Sequence, residues 1–328
     1  MTGVQAMHGV QLDTTGTEDR LRDALGLWWL RPENGLALAS YCLRGVALAP
    51  AAGERAADFA CGDGVNTFFK CGGRFDFSFD IFGKAVHPAS AKEIAEKSID
   101  VFDYEDRSYA PGIKHAPGCR YTYGTDHKKS LLHKAEKLDF YDRLLHVDLR
   151  QEAEIPDESL DLAYCNSLYW VAEASQALEL MVRKVRPGGR IVIDVMTAQR
   201  KTLRYENLLP TMPADWASLM NRGRQHNNPG IQDEAGWDRM FGIAGMTEIV
   251  DKRDIFPTAI AMVWNVGLRP VFPVLNRMAQ AIAEEKRLEI KREWVDTMVE
   301  LLLPVLMMPE HLVPSGPAVR LQYVMQRI

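Results

Sequence analysis

The sequence predicts an α/β fold, and two observations carry that prediction. Ala56-Ala-Asp-Phe59 reads as a short strand running into Ala60-Cys-Gly-Asp-Gly64, a turn of small residues. Gly62 and Gly64 let a ligand approach the backbone closely there, as in the nucleotide-binding turns of α/β proteins. Downstream, Arg186-Pro-Gly-Gly-Arg-Ile-Val-Ile193 is a Pro-Gly-Gly turn feeding an apolar strand.

Ahead of the glycine turn, residues 1–16 read as a tail. Thr17 is the expected N-cap of a first helix, with Glu18 and Asp19 in its positive first turn. That helix carries Leu21, Ala24 and Leu25 on one face and reaches Trp28-Trp29. Pro32 suits the first turn of a second helix, with Leu36, Leu43 and Val46 inward. After the turn, residues 72–118 read as an insertion. In it Phe75, Phe77, Phe79 and Ile81 alternate with Asp76, Ser78 and Asp80, the pattern of a strand with one apolar face. Ser90-Ala-Lys-Glu93 fits a capping box, and Tyr109-Ala-Pro-Gly and His115-Ala-Pro-Gly are turn punctuation. Near the C-terminus, residues 275–303 are mostly helical in pattern, with Met278, Ile282, Trp294, Met298 and Leu302 available for one side.

The glycine turn and the Pro-Gly-Gly strand, with Tyr121-Thr-Tyr-Gly-Thr-Asp126, Leu144-Leu-His-Val-Asp148 and residues 155–170 between them, resemble the class I S-adenosylmethionine-dependent methyltransferases. The resemblance implies a Rossmann-like three-layer sandwich with a seven-stranded, mostly parallel sheet and an antiparallel last strand. Residues 121–126, 144–148, 155–170 and 182–194 then supply the second to fifth strands. Residues 247–255, after a helix at 237–244 ended by Gly245, supply the sixth, and 318–325 the last. The expected organisation is a tail and helical lid at 1–50, a core at 51–256 with the 72–118 insertion, a helical cap at 257–316, and a last core strand at 317–328. A rival reading makes residues 74–80 the second strand, with Asp80 on the cofactor ribose. Asp126 is preferred, because residues 128–138 supply the next helix and Asp148 follows at the expected interval. Ala60 stands where the family most often has glycine, so the turn is expected to keep φ negative there.

By the same resemblance S-adenosylmethionine is the cofactor. Asp58 and the turn residues Ala60, Cys61, Gly62 and Gly64 line it, Asp126 with His127 holds the ribose, and Asp148 with Leu149 lies near adenine. Asn166 touches the methionine portion or the acceptor. Helices ahead of the glycine strand fold over the cofactor in similar enzymes, which brings in Trp29; both indoles are equally well read as core. A methyl sulfonium is already an activated electrophile, so positioning and exclusion of water carry the chemistry, with at most one general base. Tyr169 is a candidate for orienting the acceptor or acting as base, and equally a wall. His87 and His226 are further base candidates, with a solvated surface histidine as the alternative. Trp170 follows the fourth strand into the crevice. Arg200, Arg204, Arg222 and Arg224 are candidates for holding a phosphate or carboxylate on the acceptor, against the alternative of a solvated helix face.

Composition narrows the classes. A net charge of −5 offers no basic footprint for a nucleic-acid backbone, so no nucleic-acid partner is expected. Cys42, Cys61, Cys71, Cys119 and Cys165 are scattered without CxxC spacing, and no histidine pair has ligand spacing; neither a disulfide framework nor a metal site is expected. The N-terminus lacks a basic start and apolar stretch, and residues 298–308 are too short to span a bilayer. The expectation is a cytoplasmic protein acting on a small molecule. A nucleic-acid methyltransferase and a silent binder that retains the fold are the alternatives; Asn166-Ser-Leu-Tyr169 lacks both prolines of the Asn-Pro-Pro-Tyr motif.

Overall fold

The computed structural model describes residues 14–84, 103–104, 109–204, 207, 209–215, 229–242, 246–308, 312 and 316–328. The described strands are β1 (Ala56–Phe59), β2 (Arg74–Phe75), β3 (Ile113–His115), β4 (Tyr121–Asp126), β5 (Tyr141–His146), β6 (Leu160–Cys165), β7 (Val185–Met196), β8 (Thr247–Asp254) and β9 (Arg320–Arg327). Seven of them form one sheet in the order β5-β4-β1-β6-β7-β9-β8, and β2 pairs with β3 in a separate ribbon. β9 lies between β7 and β8, antiparallel to both, while the pairs on the β1 side are parallel.

The described helices are α1 (Thr14–Leu27), α2 (Pro32–Arg44), α3 (Val65–Lys70), α4 (Ile81–Lys84), α5 (Lys129–Glu136), α6 (Ala174–Lys184), α7 (Glu234–Phe241), α8 (Thr258–Met262), α9 (Phe272–Gln280) and α10 (Glu284–Leu306). From β4 the chain steps through α5 to β5, away from the centre on one side. From β6 it steps through α6 to β7, away on the other. Right-handed crossovers in opposite directions place α5 and α6 on opposite faces, which makes three layers. The central strands are accordingly buried almost throughout, as two covered faces require.

Several elements differ from the sequence expectation. α1 begins at Thr14, so Thr17 is inside the helix and buried rather than its cap. The strand read over 75–81 is confined to Arg74–Phe75, because Asp76 accepts from the backbone and hydroxyl of Ser78 and turns the chain. β5 begins at Tyr141, ahead of the expected 144; its outer residues are exposed, and an edge strand shows little apolar pattern. α7 begins at Glu234, capped by the Asp233 carboxylate on the Gly236 amide at 2.7 Å. The helix read over 275–303 is two, α9 and α10, and Met278 faces solvent. Pro32 does open α2. The capping box at 90–93 and Gly245 lie outside the described residues.

The described part of 72–118 packs on helices from both ends of the chain. Lys291 of α10 donates to the carbonyls of Phe77 and Phe79 at 2.6 and 2.8 Å, and Arg74 pairs with Asp23 of α1 at 2.9 Å. Asp80 accepts from the Trp29 indole at 2.9 Å and pairs with Arg287. Asp80 therefore belongs to this junction, off the main sheet, and β4 takes the place beside β1 that the rival reading would have given to 74–80.

Candidate functional site

The order of the sheet locates the crevice. Chain leaves β1 toward β4 and β5, then returns to β6, so the connections diverge between the carboxyl ends of β1 and β6. Ligands bind outside the strands at such a switch point. The glycine turn springs from the end of β1 at this place, with the Cys61 amide donating to the Thr125 carbonyl at 2.8 Å. Gly62 and Gly64 are left-handed, with φ of 61° and 74°. A Cβ added to Gly62 meets nothing within 4 Å, so that backbone faces open space; one added to Gly64 would stand 2.8 Å from the Tyr141 ring. Ala60 overturns the expectation of a negative φ: it sits at +55°. The bonds of its own amide to Thr125 Oγ1 and of Cys61 to Thr125 hold the turn in that conformation, at a cost of about 1 kcal/mol for a residue with a Cβ.

Asp126 ends β4 directly beside this turn. Its Oδ2 accepts from the Gly62 amide at 3.0 Å and its Oδ1 from the Lys128 amide at 2.8 Å. Each carboxylate oxygen keeps a further acceptor site, so the carboxylate fixes the turn and retains capacity for a hydroxyl pair. His127 is exposed, its Nδ1 3.5 Å from Asp126. Asp58 is buried under the turn and accepts from the Tyr141 hydroxyl at 2.7 Å. Burial pushes its carboxyl up to about 7, against the opposing hydrogen bonds from Thr67 and Tyr141. Asn66, in the first turn of α3, has a buried Oδ1 with no hydrogen-bond partner among the described residues. Sequence reasoning passed over it, although an Asn just after a glycine turn is a signal worth reading.

Beyond the end of β5, Asp148 and Leu149 line a small cavity with Phe59, Thr125 and Met181. The Asp148 carboxylate accepts from Nη2 and Nε along one edge of the Arg150 guanidinium at 2.8 and 2.9 Å, which brings it down to about 2. Asn166 leaves β6 at the other side of the switch point; its Oδ1 accepts from Ser167 at 2.7 Å.

The β6, β7 and β9 ends carry the aromatic and arginine candidates. Tyr169 is buried, whereas Trp170 is 48% exposed, the two rings 5.6 Å apart. Arg200 is half-buried, with its guanidinium carbon 5.8 Å from the Trp264 ring, and Arg204 lies in its field. Trp29 is buried, its indole engaged by Asp80 and its ring covered by Arg287 at 5.4 Å. His87, His226, Arg222 and Arg224 lie outside the described residues. The structure adds residues that sequence reading did not single out. Arg320 opens β9 and is buried, donating to the Tyr41 hydroxyl at 3.2 Å and the Asn166 carbonyl at 3.3 Å. Lys70 donates to Asp194 at 2.5 Å and to Tyr164 at 2.7 Å in the interior beneath it. The available signal was the polar phase of an apolar alternating strand: Arg320 and Gln322 stand between Val319, Leu321 and Tyr323, and both phases are buried.

A family model described as a methyltransferase domain matches residues 109–193, from β3 into β7. Among solved structures the chain is similar to a geranyl diphosphate methyltransferase in complex with GPP and sinefungin, at 14% identity over 99% of this chain and 88% of that one, with a TM-score of 0.43. It is also similar to the YcgJ protein of Bacillus subtilis, at 13% identity over 89% and 97% with a TM-score of 0.42. A third likeness is to a methyltransferase from Geobacter sulfurreducens in complex with S-adenosylhomocysteine, at 15% identity over 89% and 88% with a TM-score of 0.39. No curated protein matches the chain. The segment that matches the methyltransferase domain thus runs from ahead of β3 into β7, inside a sheet of order β5-β4-β1-β6-β7-β9-β8 with the glycine turn at its switch point.

Proposed function

We propose that the protein transfers the methyl group of S-adenosylmethionine to an oxygen, nitrogen or carbon atom of a small metabolite. The observation that carries this reading is the open face of Gly62, set between the end of β1 and the Asp126 carboxylate at the switch point. Backbone without a side chain, beside a carboxylate with acceptor sites left, suits the methionine and ribose portions of that cofactor. Asn66 Oδ1 offers an acceptor to the ammonium of the methionine portion. Asp148 and Leu149 are assigned to adenine, and Asn166 to the boundary with the acceptor.

S-adenosylmethionine, when bound, supplies an already activated methyl group. The chain's own task is then to orient the acceptor and keep water away. Tyr169 is assigned the orienting role, since it is buried just beyond the end of β6, beside Trp170. An enclosed acceptor is supported by the helices of residues 1–50, the 72–118 segment and α10, which are joined through Trp29, Asp80, Arg287 and Lys291. Titration calorimetry with S-adenosylhomocysteine tests the reading. Wild type is expected to bind saturably, and Asp126→Ala to bind about tenfold or more weakly, the scale of a lost charge-assisted hydrogen bond. No uptake by wild type would end the methyltransferase reading; unchanged affinity in the variant would end the ribose assignment.

A further inference from the structure

Cysteines mark both ends of the 72–118 segment. Cys71 caps α3 immediately before it, and Cys119 stands immediately after it, two residues ahead of β4. Far apart in sequence, the two meet in the fold. The chain beyond Cys71 runs into β2 and the chain arriving at Cys119 leaves β3, and these strands pair antiparallel with Arg74 opposite His115. On the core side of that rung, α3 packs through Phe68 onto the start of β4: the Phe68 ring lies 5.7 Å from Phe140, and Phe140 lies 5.3 Å from Tyr121. Cys71 follows Phe68 by about one helical turn, and Cys119 precedes Tyr121 by the spacing that shares a strand face. The two thiols are hydrogen-bonded to one another beside the Tyr121 hydroxyl.

Both positions are anchored from the core. The Cys71 amide donates to the Thr67 carbonyl at 2.9 Å. Arg120, next to Cys119, donates to the Asp139 carbonyl at 2.6 Å and the Asp142 carboxylate at 2.9 Å. Sulfurs held in contact on an anchored backbone are placed for a disulfide by side-chain rotation rather than by movement of the chain. Both thiols are also half-buried, within reach of a small solute, whereas Cys61 and Cys165 are buried. The pair is uneven in character. The bond from Cys71 lowers the pKa of Cys119, while the same bond and burial raise that of Cys71. Cys119 is thus the attacking thiolate and Cys71 the thiol that resolves it.

We propose that Cys71 and Cys119 form a redox modification site, oxidised by hydrogen peroxide to a disulfide that closes the neck of the 72–118 segment. The Cys119 thiolate attacks one peroxide oxygen; an S–O bond forms, the O–O bond breaks, and the departing hydroxide takes up a proton as water. The Cys71 sulfur then attacks that of Cys119. The S–S bond forms, the S–O bond breaks, and hydroxide leaves with the Cys71 proton as a second water. Two thiols are oxidised and one peroxide is reduced. The closed loop contains Phe77, Phe79 and Asp80, through which the segment is held by Lys291, Arg287 and Trp29. Oxidation therefore locks covalently the base of a piece already clasped to α10 at its other side. The site goes beyond the methyltransferase reading and stands whether or not the chain transfers a methyl group.

The test is treatment of the folded full-length protein with stoichiometric hydrogen peroxide, followed by blocking of free thiols and peptide mapping by mass spectrometry. Wild type is expected to lose two titratable thiols and to yield one linked peptide pair, Cys71 with Cys119, which dithiothreitol separates. Cys71→Ser should leave Cys119 as a sulfenic acid that dimedone captures, and Cys119→Ser should leave Cys71 reduced. The oxidised wild type should also melt several degrees higher than the reduced form, since the bond removes freedom from the unfolded chain, and neither serine variant should show that rise. If a serine variant fails to fold, the wild-type map decides alone. Both cysteines recovered as free thiols, a link from either one to Cys42 or to a second molecule, or as much dimedone adduct on Cys119 in wild type as in Cys71→Ser would each overturn the proposal.

Discussion

Tyr141 reaches Asp58 by passing over Gly124. The hydroxyl donates to Asp58 Oδ2 at 2.7 Å, from the edge strand β5 across β4 to β1. A Cβ at Gly124 would stand 2.8 Å from the tyrosine ring, and one at Gly64 would stand 2.8 Å from it as well. One ring is thus wedged between a strand glycine and the turn glycine, and its hydroxyl closes the floor of the candidate cofactor site.

That wedge makes Gly124→Ala destabilising by about 1–3 kcal/mol, the range for overpacking a tight interior position. Tyr141→Phe, which keeps the ring and loses only the donor, should cost nearer 1 kcal/mol. Urea unfolding of both variants checks the ranking. A Gly124→Ala protein as stable as wild type would mean the ring can shift freely.

Gly62 and Gly64 are expected to fail in different ways. Both carry positive φ, so alanine at either costs about 1 kcal/mol in backbone strain. At Gly64 the collision with Tyr141 adds to that, and thermal unfolding should show the larger loss. At Gly62 the new methyl meets nothing of the protein and projects into the space assigned to the cofactor. Gly62→Ala should therefore lose S-adenosylhomocysteine affinity while keeping most of its stability. The reverse pattern would contradict the placement of the crevice.

Asp58 gives a pH signature with a definite sign. Its folded-state carboxyl is raised to about 7 by burial, above the ordinary value of 3.8. Folding then binds a proton that the unfolded chain has released. The stabilising contribution is fully present below about pH 4 and is lost as pH rises to about 7, by up to about 3–4 kcal/mol. Asp58→Asn mimics the protonated acid and should remove that slope. Comparing chemical denaturation of the two proteins at pH 4.5 and pH 7.5 isolates it, and parallel curves would refute the assignment.

The buried pair of Lys70 and Asp194 is a stricter test of the interior. Burial opposes the Asp194 charge, but Lys70 and Arg320 outweigh it and hold the carboxyl below the ordinary range. Lys70→Met leaves that carboxylate with the Tyr164 and Gln322 donors but without its paired cation. A loss of about 3–5 kcal/mol is expected, and the Lys70→Met/Asp194→Asn double variant should recover much of it. Additive losses in this double-mutant cycle would show that the two groups are not coupled.

What the sequence by itself determined is the set of local signals. A strand entering a small-residue turn and a Pro at the head of α2 are each written in a few consecutive residues and stand where they were read, whereas the Pro-Gly-Gly read as a turn lies inside β7, at the register shift in its pairing with β6. The same is true of residues 121–126, whose place as the strand beside β1 was legible once the turn was recognised. Tertiary structure decided the rest. The φ of Ala60 depends on hydrogen bonds to Thr125, far along the chain, and no local rule places an alanine in the left-handed region. The bond from Tyr141 to Asp58 exists only because β4 presents a glycine between them, and Arg320 faces Asn166 and Tyr41 only through the register of β9 on β7. Local pattern reports a residue's own preferences; which distant side chain fills the space beside it is set by strand order and register, and those are fixed only when the whole sheet assembles.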